Sequence, residues 1–405
     1  MNNISIVLVG LSSYGAGYAR LLIEQGHIHN ASLVGVVDPY AEKNPYWPTV
    51  KEHNIPRYDT LSEFLAGHQA DLAAIASPIH LHCPQTCSAL QAGLPVLCEK
   101  PIAGTIQEVQ RMIAARAPAG KFVGIGYNWS FSDEIQALKR DIMAGLLGRP
   151  VRLKTIVLWP RYLSYYNRNN WAGRLRSPSG DWILDSPVNN ATAHYLHNMF
   201  YILGSAPDKS AMPTEVVAEL YRANDIENYD TACLRAKTHD GAEILFVTSH
   251  AVDQNLPIRC KFIFEQAKVE FQAGSGLRAI FNDGRIKEYV IPGYDQEFNK
   301  LWQCIDAVRN GDRPVCGLEA AMAQTLCMNG AQESVLEIAS FPSAMVRHQQ
   351  NEQAGEHVVA RGLTEALQTC YASWQLPSEH GFPWAKAGRR VDLSSYAWYP
   401  GGKRP

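Results

Sequence analysis

The sequence has no surplus of charge of either sign, and this balance disfavours partners that are bound mainly through electrostatics. Its 405 residues include 37 Lys and Arg against 39 Asp and Glu, a formal net charge of −2 at pH 7. Proteins that bind nucleic acid or an anionic membrane surface through electrostatics carry a basic excess. We therefore expect no nucleic acid and no membrane among the partners.

Long apolar runs and paired cysteines are also lacking. The first apolar run, Ile4–Val9, is too short for the core of a signal peptide, and no run is long enough to span a bilayer. Nine cysteines occur without any Cys-x-x-Cys pair, which disfavours a disulfide framework and a zinc ribbon. These absences predict a cytoplasmic protein whose cysteines are reduced and mostly buried.

Strand and helix patterns alternate through the first third of the chain. The predicted strands cover residues 4–9, 32–37, 72–77, 95–98 and 122–126, and helical patterns lie between them. This order is typical of a doubly wound parallel sheet, so residues 1–125 are predicted to form a Rossmann dinucleotide-binding domain.

After about residue 150 the pattern changes to consecutive short strands. Hairpin signals occur at His239-Asp240-Gly241 and Asn282-Asp283-Gly284. Residues 126–340 are therefore predicted to form an α+β domain with a large, mostly antiparallel open sheet. Residues 341–405 form an extension with a helix at 356–372, and we expect its aromatic side chains to pack on the body of the protein or on a partner subunit.

The first strand ends in a turn that favours a dinucleotide. Gly10 and Gly15 enclose Leu11-Ser12-Ser13-Tyr14, with Ser12 where the middle glycine of G-x-G-x-x-G belongs. Such a turn brings a pyrophosphate onto a helix N-terminus, and an acid at the end of the next strand, here Asp38, binds the ribose. The charge of Asp38 disfavours a 2′-phosphate, so NAD is expected rather than NADP.

Glu99-Lys100-Pro101 follows an apolar strand that ends at Cys98. Such strands deliver their next residues to the crevice at the carboxyl edge of the sheet, and Pro101 keeps Lys100 out of the helical region and even allows a cis bond. A lysine there is placed to exchange a proton with a substrate hydroxyl. The alternative is an ordinary surface lysine at a strand end.

A second polar group is predicted on a helix that opens at Ser186-Pro187 and runs toward Leu203. Asn190, His194 and His197 fall on one face of it, which indicates either a pocket wall or a solvated face. No carboxylate or cysteine completes a metal-ligand set, so metal binding is disfavoured. The loop that precedes this helix offers aromatic, Arg and Asn side chains suited to a polyhydroxylated substrate, with a plain surface loop as the alternative.

Several of these segments together resemble the Gfo/Idh/MocA family of NAD(P)-dependent oxidoreductases. The resemblance rests on the Gly10 to Gly15 turn with Asp38, on Ser77-Pro78-Ile79-His80-Leu81-His82, on Glu99-Lys100-Pro101, on Gly126-Tyr127-Asn128 and on His194 ten residues before Gly204. It covers most of residues 1–340. It implies hydride transfer at a carbinol of a sugar, glycoside or cyclitol, and a homodimer or homotetramer built on the open sheet.

The chain also departs from that family. Many members carry aspartates four residues before and three residues after the histidine, where this chain has Asn190 and His197, and Ser130 stands where arginine is common. Asp185 either supplies the missing charge or caps the helix.

The predicted site residues form three groups. Lys100 and His194 are catalytic: Lys100 hydrogen-bonds the reacting hydroxyl, and His194 shares or accepts its proton. The predicted cofactor-binding residues are Gly10, Ser12, Ser13, Tyr14, Gly15, Asp38, Ser77, Pro78, His82, Glu99 and Lys100. The predicted substrate-binding residues are Tyr127, Asn128, Tyr166, Arg168, Asn169, Trp171, Arg174, Asp185, Asn190 and His194.

Two other functions compete with a dehydrogenase. A glycosidase that keeps NAD bound would oxidise a ring carbon, eliminate the aglycone and re-reduce the sugar, with no net cofactor turnover. A non-catalytic sensor of cofactor or sugar would need neither Lys100 nor His194.

Overall fold

The computed structural model describes residues 2–272, 276–289, 296–351 and 355–400. They divide into two compact units: the first is Met1–Ala103, Gln107–Ser132 and Tyr294–Met322, and the second is Gly104–Ile106, Asp133–Gly293 and Ala323–Pro405. The sequence prediction assigns residues 294–322 to the second domain, whereas the structure groups them with the first unit. It also separates residues 341–405 from the second domain, whereas the structure groups the described part of that segment, residues 341–351 and 355–400, with the second unit.

The first unit contains a parallel six-stranded sheet. Its strands are β1 Ile4–Val9, β2 Ala31–Val37, β3 Arg57–Tyr58, β4 Leu72–Ile75, β5 Val96–Cys98 and β6 Val123–Ile125, in the order β3-β2-β1-β4-β5-β6. Residues 6–9 are at most 1% exposed, because helices cover both faces of such a sheet. This strand order is that of a dinucleotide-binding fold, whose ligand crevice lies at the carboxyl ends of the strands where the order reverses, here between β1 and β4.

The helices of the chain follow in sequence order. They are α1 Tyr14–Gln25, α2 Trp47–Glu52, α3 Leu61–Gly67, α4 Ile79–Gln91, α5 Ile106–Ala119, α6 Asp133–Met143, α7 Leu163–Tyr166, α8 Ala193–Ile202, α9 Asn299–Asn310, α10 Leu318–Glu333 and α11 Leu363–Ser373. Short 3₁₀ turns occur at Ala41–Lys43 and Asn128–Phe131. Among the described residues, none of these helices is both long enough and apolar enough to cross a membrane.

The second unit is built on a ten-stranded sheet. Its strands are β7 Pro150–Leu158, β8 Pro213–Arg222, β9 Thr231–Thr238, β10 Glu243–Ser249, β11 Arg259–Phe264, β12 Ala267–Gln272, β13 Gly276–Phe281, β14 Ile286–Glu288, β15 Ala339–Ser340 and β18 Val391–Asp392. Neighbouring strands are antiparallel except for the pairs β7 with β10 and β8 with β15. The mostly antiparallel sheet is thus confirmed, and both hairpin signals lie at turns between antiparallel strands.

The predicted helix from Ser186 to Leu203 is wrong in its first part, because α8 begins only at Ala193. Residues 186–192 form turns instead. The Asn189 amide donates to the carbonyls of Ile183 and Leu184, at 3.2 Å each. Asparagine side chains that bond nearby backbone groups compete with helix formation, and Asn190 therefore lies outside the helix.

The predicted helix at residues 356–372 is also partly wrong. The antiparallel pair β16 Val346–Asn351 and β17 Gly355–Ala360 comes first, and α11 follows. Gly362, with φ 74°, separates strand from helix in a left-handed conformation that glycine adopts without strain. The described part of the C-terminal segment packs on the sheet: Leu363 and Leu367 of α11 share an apolar cluster with Ile156 and Val247.

Candidate functional site

Two glycines of the first turn have no room for a side chain. Gly10 has φ 88°, and a Cβ there would lie 2.8 Å from the carbonyl oxygen of Ala76. A Cβ on Gly15 would lie 2.0 Å from the carbonyl oxygen of Gly10. The turn between β1 and α1 therefore depends on both glycines, which hold it against the end of β4.

The N-terminus of α1 is open to an anion. Ser13 occupies the cap position with φ 52°, its side chain makes no capping hydrogen bond, and no acidic residue lies in the first turn. Both Ser12 and Ser13 are exposed. Uncapped N–H groups and the helix dipole favour a phosphate at such an end, so this turn fits the pyrophosphate of a dinucleotide.

Asp38 lies at the end of β2 beside this turn. Its carboxylate accepts the N–H of Leu11 at 2.9 Å and that of Tyr40 at 2.8 Å. Arg57 of β3 donates to the carbonyl of Pro39 at 3.1 Å and pairs with Asp59 at 2.9 Å. Sequence reasoning missed this arginine, which comes near Asp38 because β2 and β3 run in parallel.

Glu99 is the centre of a buried ionic network within the first unit. It is 5% exposed, and its Oε1 accepts from the Tyr18 hydroxyl and from Lys300 Nζ, both at 2.5 Å. Its Oε2 accepts the backbone N–H of Lys100 at 3.3 Å. Burial lowers the pKa of Lys300, and the charge of Glu99 opposes this shift. Both carboxylate oxygens thus make contacts within the first unit, and one of them accepts the backbone N–H of Lys100.

His82 fixes the segment on the other side of Lys100. It is 1% exposed, its Nδ1 lies 2.8 Å from the carbonyl oxygen of Pro101, and its Nε2 lies 2.9 Å from that of Ser77. The bond between Lys100 and Pro101 is cis, and Lys100 itself is half-buried. The imidazole joins the loops after β4 and β5. Pro78 occupies the N-cap position of α4, and the Ser77 hydroxyl donates to Gln85 Oε1 at 2.5 Å.

Three predicted contact residues lie close together near the end of β6. The Tyr14 hydroxyl donates to Glu297 at 2.7 Å and accepts from the Asn128 amide at 3.0 Å. Tyr127 is fully buried, so its ring belongs to the core of the first unit, whereas Asn128 is half-buried.

In the second unit, Asp185 binds neighbouring groups instead of capping α8. It is 2% exposed, and its two oxygens accept the N–H of Gly173 at 2.7 Å and the Asn190 amide at 2.8 Å. His194 is half-buried on the first turn of α8. His197 is fully buried, and burial together with Lys139 holds its pKa well below the ordinary value. A neutral imidazole at this position does not replace a carboxylate.

The loop before α8 uses several of its predicted substrate residues to hold its own shape. Asn169 accepts the N–H groups of Trp171 and Ala172, at 3.0 and 2.8 Å. Arg174 pairs with Glu227 at 2.6 Å. The exposed Arg168 has its guanidinium 3.6 Å from the centre of the Tyr165 ring.

The Tyr166 hydroxyl behaves differently, because it is buried and has no hydrogen-bond partner among the described residues. Arg161 and His250 lie nearby and were missed by sequence reasoning. His250 directly follows β10, and Arg161 comes shortly after the end of β7. Their position after a strand is the sequence signal by which they could have been predicted. Across the described ranges, no group of three or more His, Cys, Asp or Glu is arranged to hold a metal ion.

The turn at Gly10 and the tract at Lys100 both lie in a segment that a protein-family model matches. Residues 4–127 match the Gfo/Idh/MocA model, described as an oxidoreductase family with an NAD-binding Rossmann fold. This segment, about a third of the chain, is therefore similar to the NAD-binding domain of the Gfo/Idh/MocA oxidoreductases. The resemblance carried by the motifs is confirmed, and so is NAD as the cofactor of the domain.

Curated dehydrogenases are among the proteins to which the chain is similar. Inositol 2-dehydrogenase 4 of Saccharopolyspora erythraea is 33% identical over 145 residues, 36% of this chain and 42% of that protein. The chain thus spans less than half the length of this relative. Inositol 2-dehydrogenase of Burkholderia cenocepacia is 24% identical over 350 residues, 82% of this chain and 96% of that protein.

A solved structure matches both units. The WlbA dehydrogenase from Bordetella pertussis, crystallised in complex with NADH and UDP-GlcNAcA, aligns with a TM-score of 0.67 at 22% identity, over 82% of this chain and 98% of that chain. This likeness shows the fold, and it confirms a Rossmann domain followed by a domain with a large open sheet.

Proposed function

We propose that the protein is an NAD-dependent dehydrogenase that oxidises a secondary hydroxyl of a sugar, glycoside or cyclitol. The observation that carries the proposal is the anchoring of Lys100. Tyr18, Glu99 and Lys300 form a buried network that holds its backbone at the carboxyl end of β5. The nucleotide-binding turn lies at the carboxyl end of β1, on the same edge of the sheet. The inositol 2-dehydrogenases among the relatives support a cyclitol or sugar as substrate.

NAD+, when bound, supplies the hydride acceptor for the carbinol carbon. Lys100 hydrogen-bonds the reacting hydroxyl, and its neutral amine would accept the proton that the hydroxyl loses as the hydride leaves. A positioned group of this kind contributes typically about 10²–10⁴-fold to the rate.

The arrangement at Asp38 supports NAD over NADP. Its carboxylate is held beside the turn by two backbone N–H groups, and a fixed negative charge there repels a 2′-phosphate. Arg57 is already paired with Asp59, so its charge is compensated. We expect NAD+ to bind more tightly than NADP+ in titrations of the purified protein.

The test begins with the cofactor and ends with Lys100. Protein is denatured and the released dinucleotide is identified by mass spectrometry, and then NADH formation is followed on sugars, glycosides and cyclitols. Lys100→Met should lower turnover by roughly 10²-fold or more and leave the Kd for NAD+ within a few-fold. The matched control is Lys51→Met, since Lys51 is an exposed lysine of the same unit.

Turnover unchanged in Lys100→Met contradicts the assignment. Aglycone release without accumulation of NADH identifies the protein instead as a glycosidase that retains its cofactor. Binding of NAD+ and sugar without any conversion points to a sensor.

We also propose a cytoplasmic location and a homodimer or homotetramer. All nine cysteines lie within the described ranges as free thiols, and eight of them are buried, which suits a reducing compartment. Cell fractionation tests the location, and light scattering of the purified protein tests the number of subunits.

A further inference from the structure

The ends of two neighbouring strands bring together a set of polar side chains in the second unit. Strands β7 and β10 are parallel and paired along their length. Beyond their ends the pairing continues, because the N–H of Trp159 donates to Ser249 at 3.0 Å and that of Arg161 to His250 at 3.2 Å. Trp159, Arg161 and His250 therefore lie at one end of the sheet, next to α7.

His250 presents a buried acceptor. It is 1% exposed, and its Nδ1 lies 2.8 Å from the carbonyl oxygen of Trp159. Since a carbonyl only accepts, Nδ1 carries the hydrogen and Nε2 keeps its lone pair. Nε2 is buried and has no hydrogen-bond partner among the residues that the structure describes. A buried acceptor of this kind is costly unless a donor reaches it.

Arg161 carries a charge that forms no ion pair among the described residues. Its guanidinium lies 5.0 Å from the centre of the Tyr165 ring and 5.8 Å from that of Trp159. Its Nε is buried without a partner, and its Nη1 makes one long contact of 3.5 Å to the carbonyl of Pro160. Within the described ranges, no carboxylate lies close enough to form an ion pair with it, whereas Arg149, Arg174 and Arg235 all have one.

Tyr166 completes the set. Its hydroxyl is buried and has no partner in the described part of the chain. The Tyr165 ring contacts both the Tyr166 ring, at 5.2 Å between centroids, and the His250 ring, at 5.9 Å. Trp159, Arg161, Tyr165, Tyr166 and His250 thus form one connected group, named here the Arg161 cluster.

We propose that the Arg161 cluster binds the carboxylate of a sugar acid or of a glycoside that carries one. Arg161 binds the carboxylate, His250 Nε2 accepts from an adjacent hydroxyl, and the Tyr166 hydroxyl binds a second polar group of the sugar. The rings of Trp159 and Tyr165 pack on the sugar's C–H face. The inference rests on the proposed function and narrows its substrate class.

The balance of charges favours a carboxylate over other ligands. A neutral hydroxyl would leave the guanidinium without an ion-pair partner in the complex, whereas a carboxylate supplies one. A planar carboxylate matches the donor geometry of one arginine. A phosphate monoester carries close to two negative charges, and the other arginine near the cluster, Arg168, already donates to the carbonyl of Tyr165 at 2.6 Å.

The test compares matched sugars on the full chain loaded with NAD+. Glucuronate and galacturonate are paired with glucose and galactose, and glucose 6-phosphate covers the phosphate case. Affinity is measured by calorimetry, independently of turnover, and kcat/KM is measured where NADH forms. The variants are Arg161→Gln, Arg161→Lys and, as a control, Arg347→Gln, since Arg347 is an exposed arginine of the same unit.

We expect the uronates to bind more tightly than their neutral partners. Arg161→Gln should weaken uronate binding by roughly 30- to 1,000-fold, the range for removal of one partner of a buried charge pair. Neutral sugars should change little, Arg161→Lys should recover part of the loss, and Arg347→Gln should match the wild type. If Arg161→Gln does not fold, the same comparison is made with Arg161→Lys.

Three outcomes overturn the inference: no uronate binds, neutral sugars bind as well as uronates, or glucose 6-phosphate is preferred. An equal loss for acidic and neutral sugars in Arg161→Gln also overturns it, because Arg161 would then act through the packing of the loop. Uronate binding that needs Arg161 but yields no NADH upholds the inference and contradicts the dehydrogenase proposal. NADH formation from neutral sugars at a rate that Arg161→Gln does not change contradicts the inference and upholds the dehydrogenase proposal.

Discussion

The buried network around Glu99 allows one prediction to be worked through in numbers. The change is Glu99→Gln, which preserves shape and removes the charge. Lys300 is fully buried and its Nζ lies 2.5 Å from Glu99 Oε1. Removing one partner of a buried ion pair costs about 3–5 kcal/mol, because the remaining charge is left uncompensated. Burial already lowers the pKa of Lys300, so the ammonium can release its proton, and we expect the lower end, about 3 kcal/mol.

The measurement is calorimetric unfolding at pH 7 without added cofactor. For a unit of this size, about 3 kcal/mol corresponds to a Tm lower by roughly 6–12 °C. The double variant Glu99→Gln with Lys300→Met has no buried charge left, so it should be more stable than the sum of the single losses predicts, by at least about 1 kcal/mol. Glu52→Gln, at an exposed position on the same unit, is the control. A Tm of Glu99→Gln within about 2 °C of wild type, or strict additivity in the double variant, would refute the reasoning.

Two further predictions concern the second unit. Burial and the charge of Arg161 lower the pKa of His250 to about 3, so His250 takes up a proton on unfolding but not in the folded state. Stability should be lost as the pH falls below about 6.5, by about 2 kcal/mol between pH 7.5 and pH 5. Urea unfolding at both pH values should show this difference shrinking in His250→Gln, and an undiminished difference speaks against the explanation. Asn190→Asp places a second carboxyl group beside Asp185, to which the Asn190 amide donates at 2.8 Å. Repulsion between two neighbouring carboxylates raises the pKa of one of them. That variant should lose stability as the pH rises from 5 to 8, whereas Asn170→Asp, at an exposed position of the same unit, should not.

The first unit was the easier part to predict because its signals are local. Strands that are buried on both faces appear in the sequence as continuous apolar runs. The predicted site residues near the ends of these strands include Gly10, Gly15, Asp38 and Lys100. The parallel sheet then brings those ends to one edge. The hydrogen bonds of individual side chains were harder to predict: Glu99 accepts the backbone N–H of Lys100, and His82 lies against the carbonyl of Pro101. Their prediction as cofactor-binding residues stays a prediction. Their partners, Lys300 and Ser77, lie far away in the sequence or on the backbone.

The second unit shows where sequence patterns stop being informative. Ser186-Pro187 is a regular opening for a helix, yet the amides of Asn189 and Asn190 bond nearby groups and delay α8 to Ala193. The spacing of apolar residues, from which helices are predicted, carries no information about such competition. The pattern at 356–372 misled in another way, because a strand and a helix joined at Gly362 together looked like one helix.

The Glu99 network and the Arg161 cluster differ in whether their buried polar groups have partners. A network with all its partners can be purely structural, whereas a cluster without them suits a ligand. In the network of Tyr18, Glu99 and Lys300 each charge has a partner within the first unit, so the network keeps its geometry without a ligand. In the Arg161 cluster the described residues offer no hydrogen-bond partner for His250 Nε2, the Tyr166 hydroxyl or Arg161 Nε. A buried polar group without a hydrogen-bond partner lowers the stability of the fold, and such groups are rare in folded proteins. Such a group is explained when a ligand supplies the missing partners, and the missing partners here are a donor, a second hydrogen-bonding group and one negative charge. A carboxylate-bearing sugar contains all three.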